Sequence, residues 1–358
     1  MADRSQIDQL PAILPLLRCP ACHTAPLALA AAPYPEKLPF ALADTHLDCP
    51  GCGEKYPITY DHIPVLWTPA LREQLSAKPN THSNIGANIQ VYNAISDDYQ
   101  NYTRKLPANA RRIQDAAERM LKFQTGRIST PRFHLDFGCG PGHVIGWLQD
   151  QDLISIGLDV SFSNLRNTRQ NTGALVVCGD ATNMPFVDGI FDIVTEASVL
   201  HHIQDWQSVV REACRVCRPN GSILLDAEPS REMVAFSKLA VAVFNLRFPV
   251  YKLLSYVWKE KYIFRDTEQA KLNLLAEVHH QPGTGFPLDT LEALFQEAGY
   301  PLHLFFSPGA DLEATARPKL KNILLNLLSF RNPFNPRYGS FTAIGMRTDS
   351  SLVQRKKK

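Results

Sequence analysis

No stretch of this 358-residue chain is apolar for long enough to cross a bilayer, since a spanning helix needs about 20 predominantly apolar residues. The most apolar run, Ala235 to Trp258, is broken by Lys238, Asn245, Arg247, Pro249 and Lys252. Net charge is scarce too. The 37 Lys and Arg stand against 35 Asp and Glu, a balance of +2, which makes no electrostatic case for nucleic acid or an anionic membrane by steering alone. The start of the chain carries Asp3 and Asp8 where a secretory signal is basic, and Pro15 interrupts its apolar run. A cytoplasmic protein is therefore expected, with cysteines serving as thiols or metal ligands rather than disulfides. Apolar residues are not lacking: 45% hydrophobic and 20% charged exclude disorder over most of the length. At about 150 residues per domain, that length fits two domains or three.

Eight cysteines are unevenly spread. Four stand as Cys19-x2-Cys22 and Cys49-x2-Cys52, inside LRCPACH and LDCPGCG, with 26 residues between the pairs. Each CxxC turn presents two thiolates on one tight loop, and two such turns supply the four soft ligands that tetrahedral Zn²⁺ takes. His23 and His46 lie nearby, but four thiolates already complete the set. The other four cysteines sit in apolar patterns, and the Cys214/Cys217 pair reads as core rather than ligand. Residues 1–76 are expected to form this small zinc-ribbon domain. The polar stretch AKPNTHSNIGAN (77–88) opens the second domain, 77–358.

From about Asp97, short β-branched runs alternate with amphipathic stretches. They are RFHLDF (132–137), SIGLDV (155–160), ALVVCGD (174–180), FDIVTEA (191–197) and SILLDAE (222–228). Spacings of about 20 to 30 residues imply helical crossovers and a parallel sheet. HLFFS (303–307) and FTAIGM (341–346) are expected to complete it as an antiparallel pair, after the helix LDTLEALFQEA closed at Gly299. Residues 231–285 intervene as a helical cap whose Phe236, Leu239, Val243, Phe244, Leu246, Phe248 and Tyr251 suit either an apolar pocket or simple packing on the sheet.

The first run leads into a glycine turn, HLDFGCGPGHVIGWL (134–148). A dinucleotide fingerprint needs GxGxxG, and its third glycine falls on His143, so that pattern fails. No Gly-Lys-Ser/Thr follows, which excludes a P-loop. Gly138, Gly140 and Gly142 instead let backbone approach a bound cofactor at a helix N-terminus. Asp159 ends the second strand, where an acidic side chain accepts from ribose hydroxyls. The third ends in Gly179-Asp180-Ala181, where a carboxylate accepts from an adenine amino group.

The strings LDFGCGPG, GLDVS, GDATNMPF, FDIVTEASVLHHIQD and RVCRPNGSILL, in this order, resemble the class I S-adenosylmethionine-dependent methyltransferases. The resemblance covers about Asn93 to Met346. It implies an α/β fold with a Rossmann-like seven-stranded sheet, here preceded by the ribbon and carrying the cap. It places Asp136, Gly138, Gly140 and Gly142 around the methionine part of S-adenosylmethionine, Asp159 at ribose, and Asp180 with Ala181 at adenine. Tyr92 and Tyr99 resemble the tyrosine-bearing segment that folds over the cofactor. Asn220 departs from the family's usual glycine. The string LDCPGCGEKYPITYDHIPVLW resembles the small zinc-ribbon proteins that activate methyltransferases, over roughly residues 12–67.

Methyl transfer from a sulfonium is an in-line displacement, so alignment and a dry site matter most, with a base where the nucleophile carries a proton. His202 is the first candidate base and Glu196 the second, beyond the fourth strand; Glu228 and His279-His280 are weaker ones. A packing role for His202 and a cofactor-bonding role for Glu196 compete with these assignments. The fourth strand ends in TEAS, without the Asn/Asp-Pro-Pro of amino methyltransferases or a following Pro-Cys. The leading expectation is a methyltransferase of a small-molecule or lipid-like acceptor; an amphipathic cap also suits contact with a membrane surface. A ribosomal-RNA guanine-N1 methyltransferase, its ribbon reading RNA, is the alternative, and a non-catalytic scaffold the third.

Overall fold

The computed structural model describes residues 10–38, 40–76, 83–103, 107–124, 131–246 and 276–347. Three antiparallel strands open it: β1 (Ala28–Ala30), β2 (Leu42–Asp48) and β3 (Lys55–Thr59). Two turns flanking this small sheet carry the cysteine pairs, and they are built alike. The N–H groups of Cys19 and Cys49 donate to the carbonyls of Thr24 and Glu54, both at 2.8 Å. Their own carbonyls accept from the N–H groups of His23 and Gly53 at 2.8 and 3.0 Å. His23 and Gly53 both take left-handed φ, +64° and +75°.

The chain leaves the small sheet as β4 (Val65–Leu66), then runs through helices α1 (Pro69–Ser76), α2 (Asn84–Thr103) and α3 (Pro107–Gln124). Next come β5 (Phe133–Phe137), α4 (His143–Trp147), β6 (Ile154–Asp159), α5 (Phe162–Thr172), β7 (Leu175–Gly179), β8 (Phe191–Ala197), α6 (Trp206–Val216) and β9 (Cys217–Pro229). After the cap helix α7 (Lys238–Asn245) follow α8 (Leu288–Glu297), β10 (Leu302–Phe306), α9 (Leu320–Leu328) and β11 (Ser340–Met346). The large sheet has the order β10-β11-β9-β8-β5-β6-β7-β4. Only β10/β11 and β11/β9 are antiparallel.

The sheet has eight strands where seven were expected. The outer edge of β7 offers unpaired backbone groups, and Val65 and Leu66 pair there in parallel with Cys178 and Gly179. Ile63, Val65, Trp67 and Leu71 pack into one cluster with Leu165 and Val176 of the large domain. Farther up the chain, Leu16 and Leu17 join the core around Phe186 and Phe191. The Arg18 N–H donates to Pro185 O at 3.0 Å, and its guanidinium reaches Glu212 at 3.3 Å. The cysteine-bearing sheet and the large sheet thus share one hydrophobic core.

Cys214 and Cys217 are buried core residues, though Cys217 opens β9 rather than lying in the helix. Asn220 takes φ +70°, a conformation that glycine adopts most readily. Cap residues 247–275, with Phe248 and Tyr251, lie outside the described residues. One buried ion pair braces the antiparallel half. Arg112 of α3 holds Asp226 of β9 with two hydrogen bonds, of 2.8 and 2.9 Å, and the Thr342 hydroxyl donates to the same carboxylate at 2.6 Å. Removing one member leaves a buried charge uncompensated. Arg112→Ala is expected to cost about 3–5 kcal/mol of stability, measured by urea denaturation.

Candidate functional site

Strand order reverses between β5 and β8, and at such a switch point the carboxyl ends of neighbouring strands leave a crevice. A cavity of about 670 Å³ lies there. Gly138 and Gly140 enter it after β5, Asp159 at the end of β6, Asp180 and Ala181 after β7, and Ser198 with Val199 after β8. Part of its wall comes from upstream chain: Thr68 and Leu71 beside β4, then Asn84, Asn88 and Tyr92. The last three are four residues apart, so they share one face of α2. Asn84 Oδ1 accepts from the Gln204 N–H at 3.3 Å, and the Asn88 amide donates to His202 O at 3.0 Å. That face clasps the 200–204 turn. Its asparagines went unrecognised in the sequence, where their spacing by four was the available signal.

The glycine loop is left-handed at all three positions, with φ of +62°, +52° and +86° at Gly138, Gly140 and Gly142. A Cβ on Gly138 would sit 2.3 Å from Val199 Cγ1, whereas one on Gly140 would meet no protein atom within 4 Å. Gly140 therefore borders open space that a bound molecule can occupy. Asp159 sets the loop from across the strand ends: its Oδ2 accepts from the Gly140 N–H at 2.9 Å and its Oδ1 from the Ser161 N–H at 2.8 Å. Asp180 caps the turn after β7, accepting from the Thr182 N–H at 2.8 Å. Burial raises both carboxyl pKa values above the ordinary range.

Asp136 and Gly142 do not line the cavity. Gly142 caps the N-terminus of α4. Asp136 lies buried in β5, its Oδ1 accepting from the Thr195 hydroxyl at 2.8 Å, while its Oδ2 has no hydrogen-bond partner. Burial pushes its pKa up to about 7. His134 backs this arrangement, with Nε2 at 2.8 Å from Thr195 Oγ1 and Nδ1 at 2.9 Å from Ser155 Oγ. Since the Thr195 hydroxyl donates to Asp136 Oδ1, its oxygen accepts from Nε2–H, and the Ser155 hydroxyl donates to Nδ1. Burial keeps His134 neutral, its pKa near 3.

The candidate bases divide. His202 borders the cavity, and its Nδ1, 3.0 Å from Ala276 O, must donate because a carbonyl only accepts. Its Nε2 then accepts from the Tyr92 hydroxyl at 2.8 Å. Burial, reinforced by His201, holds His202 well below the usual histidine range, hence neutral. Glu196 is buried and does not line the cavity; its Oε2 accepts from the Val199 N–H at 3.0 Å. Burial first, then the charge of Glu228, raises its pKa well above the carboxylate range, which favours its neutral form. Glu228 accepts from the Leu200 and His201 N–H groups at 3.0 and 3.1 Å and from the His201 ring. Burial opposes charge on His201, but the Glu228 carboxylate outweighs it. His279 and His280 pack beside this pair, both lowered by burial. Tyr99 belongs to α2, and its side chain lies outside the described residues. None of the described cap residues lines the cavity; Leu239 and Leu246 face solvent instead.

A second constellation lies in the small sheet. The Sγ atoms of Cys19, Cys22, Cys49 and Cys52 all fall within 4.8 Å of one another. Cys19 to Cys52 spans 3.7 Å and Cys22 to Cys49 spans 3.5 Å. A tetrahedron with arms of 2.3 Å has edges of about 3.8 Å, so these separations suit Zn²⁺ and are far too long for disulfides. The Tyr56 hydroxyl, 3.0 Å from Cys19 Sγ, can only donate to a thiolate there.

Residues 135–225 match the family model of a methyltransferase domain. The α/β Rossmann-like sheet is the fold of such domains. Among curated proteins, the chain is 30% identical over 149 residues to a demethylmenaquinone methyltransferase of Staphylococcus epidermidis, covering 40% of this chain and 56% of that protein. It is likewise 30% identical over 143 residues to a malonyl-[acyl-carrier protein] O-methyltransferase of Legionella pneumophila, covering 38% and 50%. The chain thus spans about half the length of the curated relatives it matches. Among solved structures, it resembles the complex of the Haloferax volcanii Trm112 methyltransferase activator with its methyltransferase partner, at 17% identity and TM-score 0.42, covering 72% of this chain and 98% of that one.

Two glycine variants should behave differently. Gly138→Ala collides with Val199 and is expected to destabilise the fold by several degrees in a thermal melt. Gly140→Ala meets no protein atom, carries only the left-handed strain of about 1 kcal/mol, and should fold yet lose ligand binding by calorimetry.

Proposed function

We propose that this protein transfers a methyl group from S-adenosylmethionine to a small-molecule or lipid-like acceptor, and that residues 19–52 hold a structural zinc ion. One observation carries the reading. A left-handed glycine loop and two acidic side chains, from three successive strands, converge on one cavity at the switch point of a methyltransferase-type sheet. The open space at Gly140, beside Asp159 and Asp180, fits a nucleoside-sized ligand. Residues 1–76 serve as the ribbon and 77–358 as the catalytic part. The acceptor class is supported by the relatives' names and not by any charge excess.

S-adenosylmethionine supplies a methyl group on a positively charged sulfur. The chain supplies placement. Asp159 presents its carboxylate to ribose hydroxyls, Asp180 and Ala181 flank the adenine, and the Gly138–Gly140 backbone approaches the methionine part. Tyr92, with Asn84 and Asn88, closes the cavity from the α2 side and excludes water. Where the acceptor carries a proton, the Tyr92 hydroxyl is placed to take it while passing its own to His202 Nε2, which is neutral and already accepting from it. Glu196 is a positioning residue for the 198–202 turn.

Four expectations test this reading. Methyl-labelled S-adenosylmethionine, incubated with zinc-replete protein and host extract, should label the organic-soluble or small-molecule fraction; nuclease-sensitive label would overturn the acceptor class in favour of RNA. Asp159→Ala should abolish cofactor binding while metal analysis still finds one zinc per chain, and loss of both would mark Asp159 as a folding residue. Cys19→Ser with Cys49→Ser should remove that zinc and lower the melting temperature. The fourth concerns protons. The folded pKa of Asp136, about 7, exceeds the unfolded value of about 3.9. Its neutral form therefore favours the fold below about pH 4, and that contribution is lost as pH rises towards 7. A cation bound in the neighbouring cavity would favour the ionised form, so binding at pH 6.5 should release protons. Calorimetry in buffers of different ionisation enthalpy should show the release in the parent and not in Asp136→Asn.

A further inference from the structure

The described cap turns apolar side chains outwards, together with those of α9. The two helices are tied: the Ser237 hydroxyl donates to Leu328 O at 2.8 Å, and the Lys321 ammonium lies 5.2 Å from the centre of the Phe244 ring. The inner face of α9 buries Leu325 and Asn326. Leu320, Leu324 and Leu327, spaced by four and three, form an exposed stripe, with Leu320 81% exposed. Phe330 and Phe334 continue it past the helix end, 91% and 68% exposed. Seven of the ten exposed large hydrophobic side chains among the described residues belong to these two helices, the C-cap Leu246 of α7 and this following turn. Concentration of that kind marks an interaction surface.

Charge decides what it meets. Residues 314–338 carry Arg317, Lys319, Lys321, Arg331 and Arg337 and no acidic residue, in a chain otherwise balanced in charge. Arg317, Lys319, Lys321 and Arg337 are exposed. An apolar stripe rimmed by cations of one sign matches the boundary between acyl chains and anionic headgroups. We propose that the face formed by α9, the 330–334 turn and α7 seats this protein on an anionic lipid bilayer. The cap begins just after Pro229, the last residue of β9, with Glu228 before it bonded to the His201 turn, so the face leaves the sheet at the edge that carries the cavity. Docking stands independently of methyl transfer; its use, drawing a lipid-like acceptor to the cavity, rests on the proposed function.

Vesicle co-sedimentation of the full chain tests it, without any activity readout. Vesicles of phosphatidylglycerol and phosphatidylcholine should retain the protein, pure phosphatidylcholine vesicles should not, and retention should fall with salt. Lys319→Glu with Lys321→Glu should weaken retention by about tenfold or more, and Leu320→Ser with Leu324→Ser should do so too, with unchanged thermal melts and cofactor binding. Equal retention by both vesicle types, none by either, or no effect of either double variant overturns the proposal. So does a dimer in analytical ultracentrifugation that the leucine variant dissociates, which would make this face a contact between copies. Failure of the labelling experiment alongside intact sedimentation would leave docking standing and remove only the proposed chemistry.

Discussion

The pairing of β4 on the outer edge of β7 is the constraint on which the rest depends. Only Val65 and Leu66 take part, and two residues of parallel ladder hold little by themselves. Apolar packing fixes them, because Ile63, Val65, Trp67 and Leu71 are buried with Leu165, Val176 and Cys178. This seam closes a sheet edge that would otherwise offer unpaired N–H and C=O groups. It also aims the following chain at the cavity, so that Thr68 and Leu71 form part of its wall. The cysteine-bearing sheet is thus coupled to the crevice through covalent chain and common core, and loosening of its turns would be felt at both.

Much of the fold was legible because the large sheet obeys local rules. Each central strand is a run rich in apolar residues that overlaps its expected position, β9 starting earlier at Cys217. The glycine loop was legible for a stronger reason: three close glycines after a strand are costly unless the backbone needs positive φ, and all three adopt it. The eighth strand was not legible. VL in IPVLW carries no period, and its pairing depends on which edge lies free in three dimensions, which local pattern does not encode. Nor did the outward face of α9 stand out, since periodicity reveals that leucines share a side and not whether that side faces core or water.

The site was readable as a list of acids and glycines and unreadable as a hierarchy. Asp136 and Glu196 look alike in sequence to Asp159 and Asp180, as acids near strand ends. The structure separates them by position: the second two border the cavity, while the first two are buried behind it, each with one bonded and one unpartnered oxygen. Burial disfavours charge on all four, so what distinguishes Asp159 and Asp180 is their place at the cavity wall rather than their protonation.

The same reasoning assigns the histidines. Four of them, His201, His202, His279 and His280, crowd the loop after β8, and only His201 has a carboxylate against its ring nitrogen. That carboxylate favours charge on His201, whereas burial and His201 together disfavour it on His202. The tautomer of a neutral His202 is fixed, because Ala276 O claims the Nδ1 proton and leaves Nε2 as an acceptor towards Tyr92. A protonated His202 would present a donor to the Tyr92 oxygen and lose its basic lone pair. The Glu228–His201 pair therefore does more than brace the turn: charge on His201 disfavours a second charge on His202, which leaves its Nε2 an acceptor towards Tyr92.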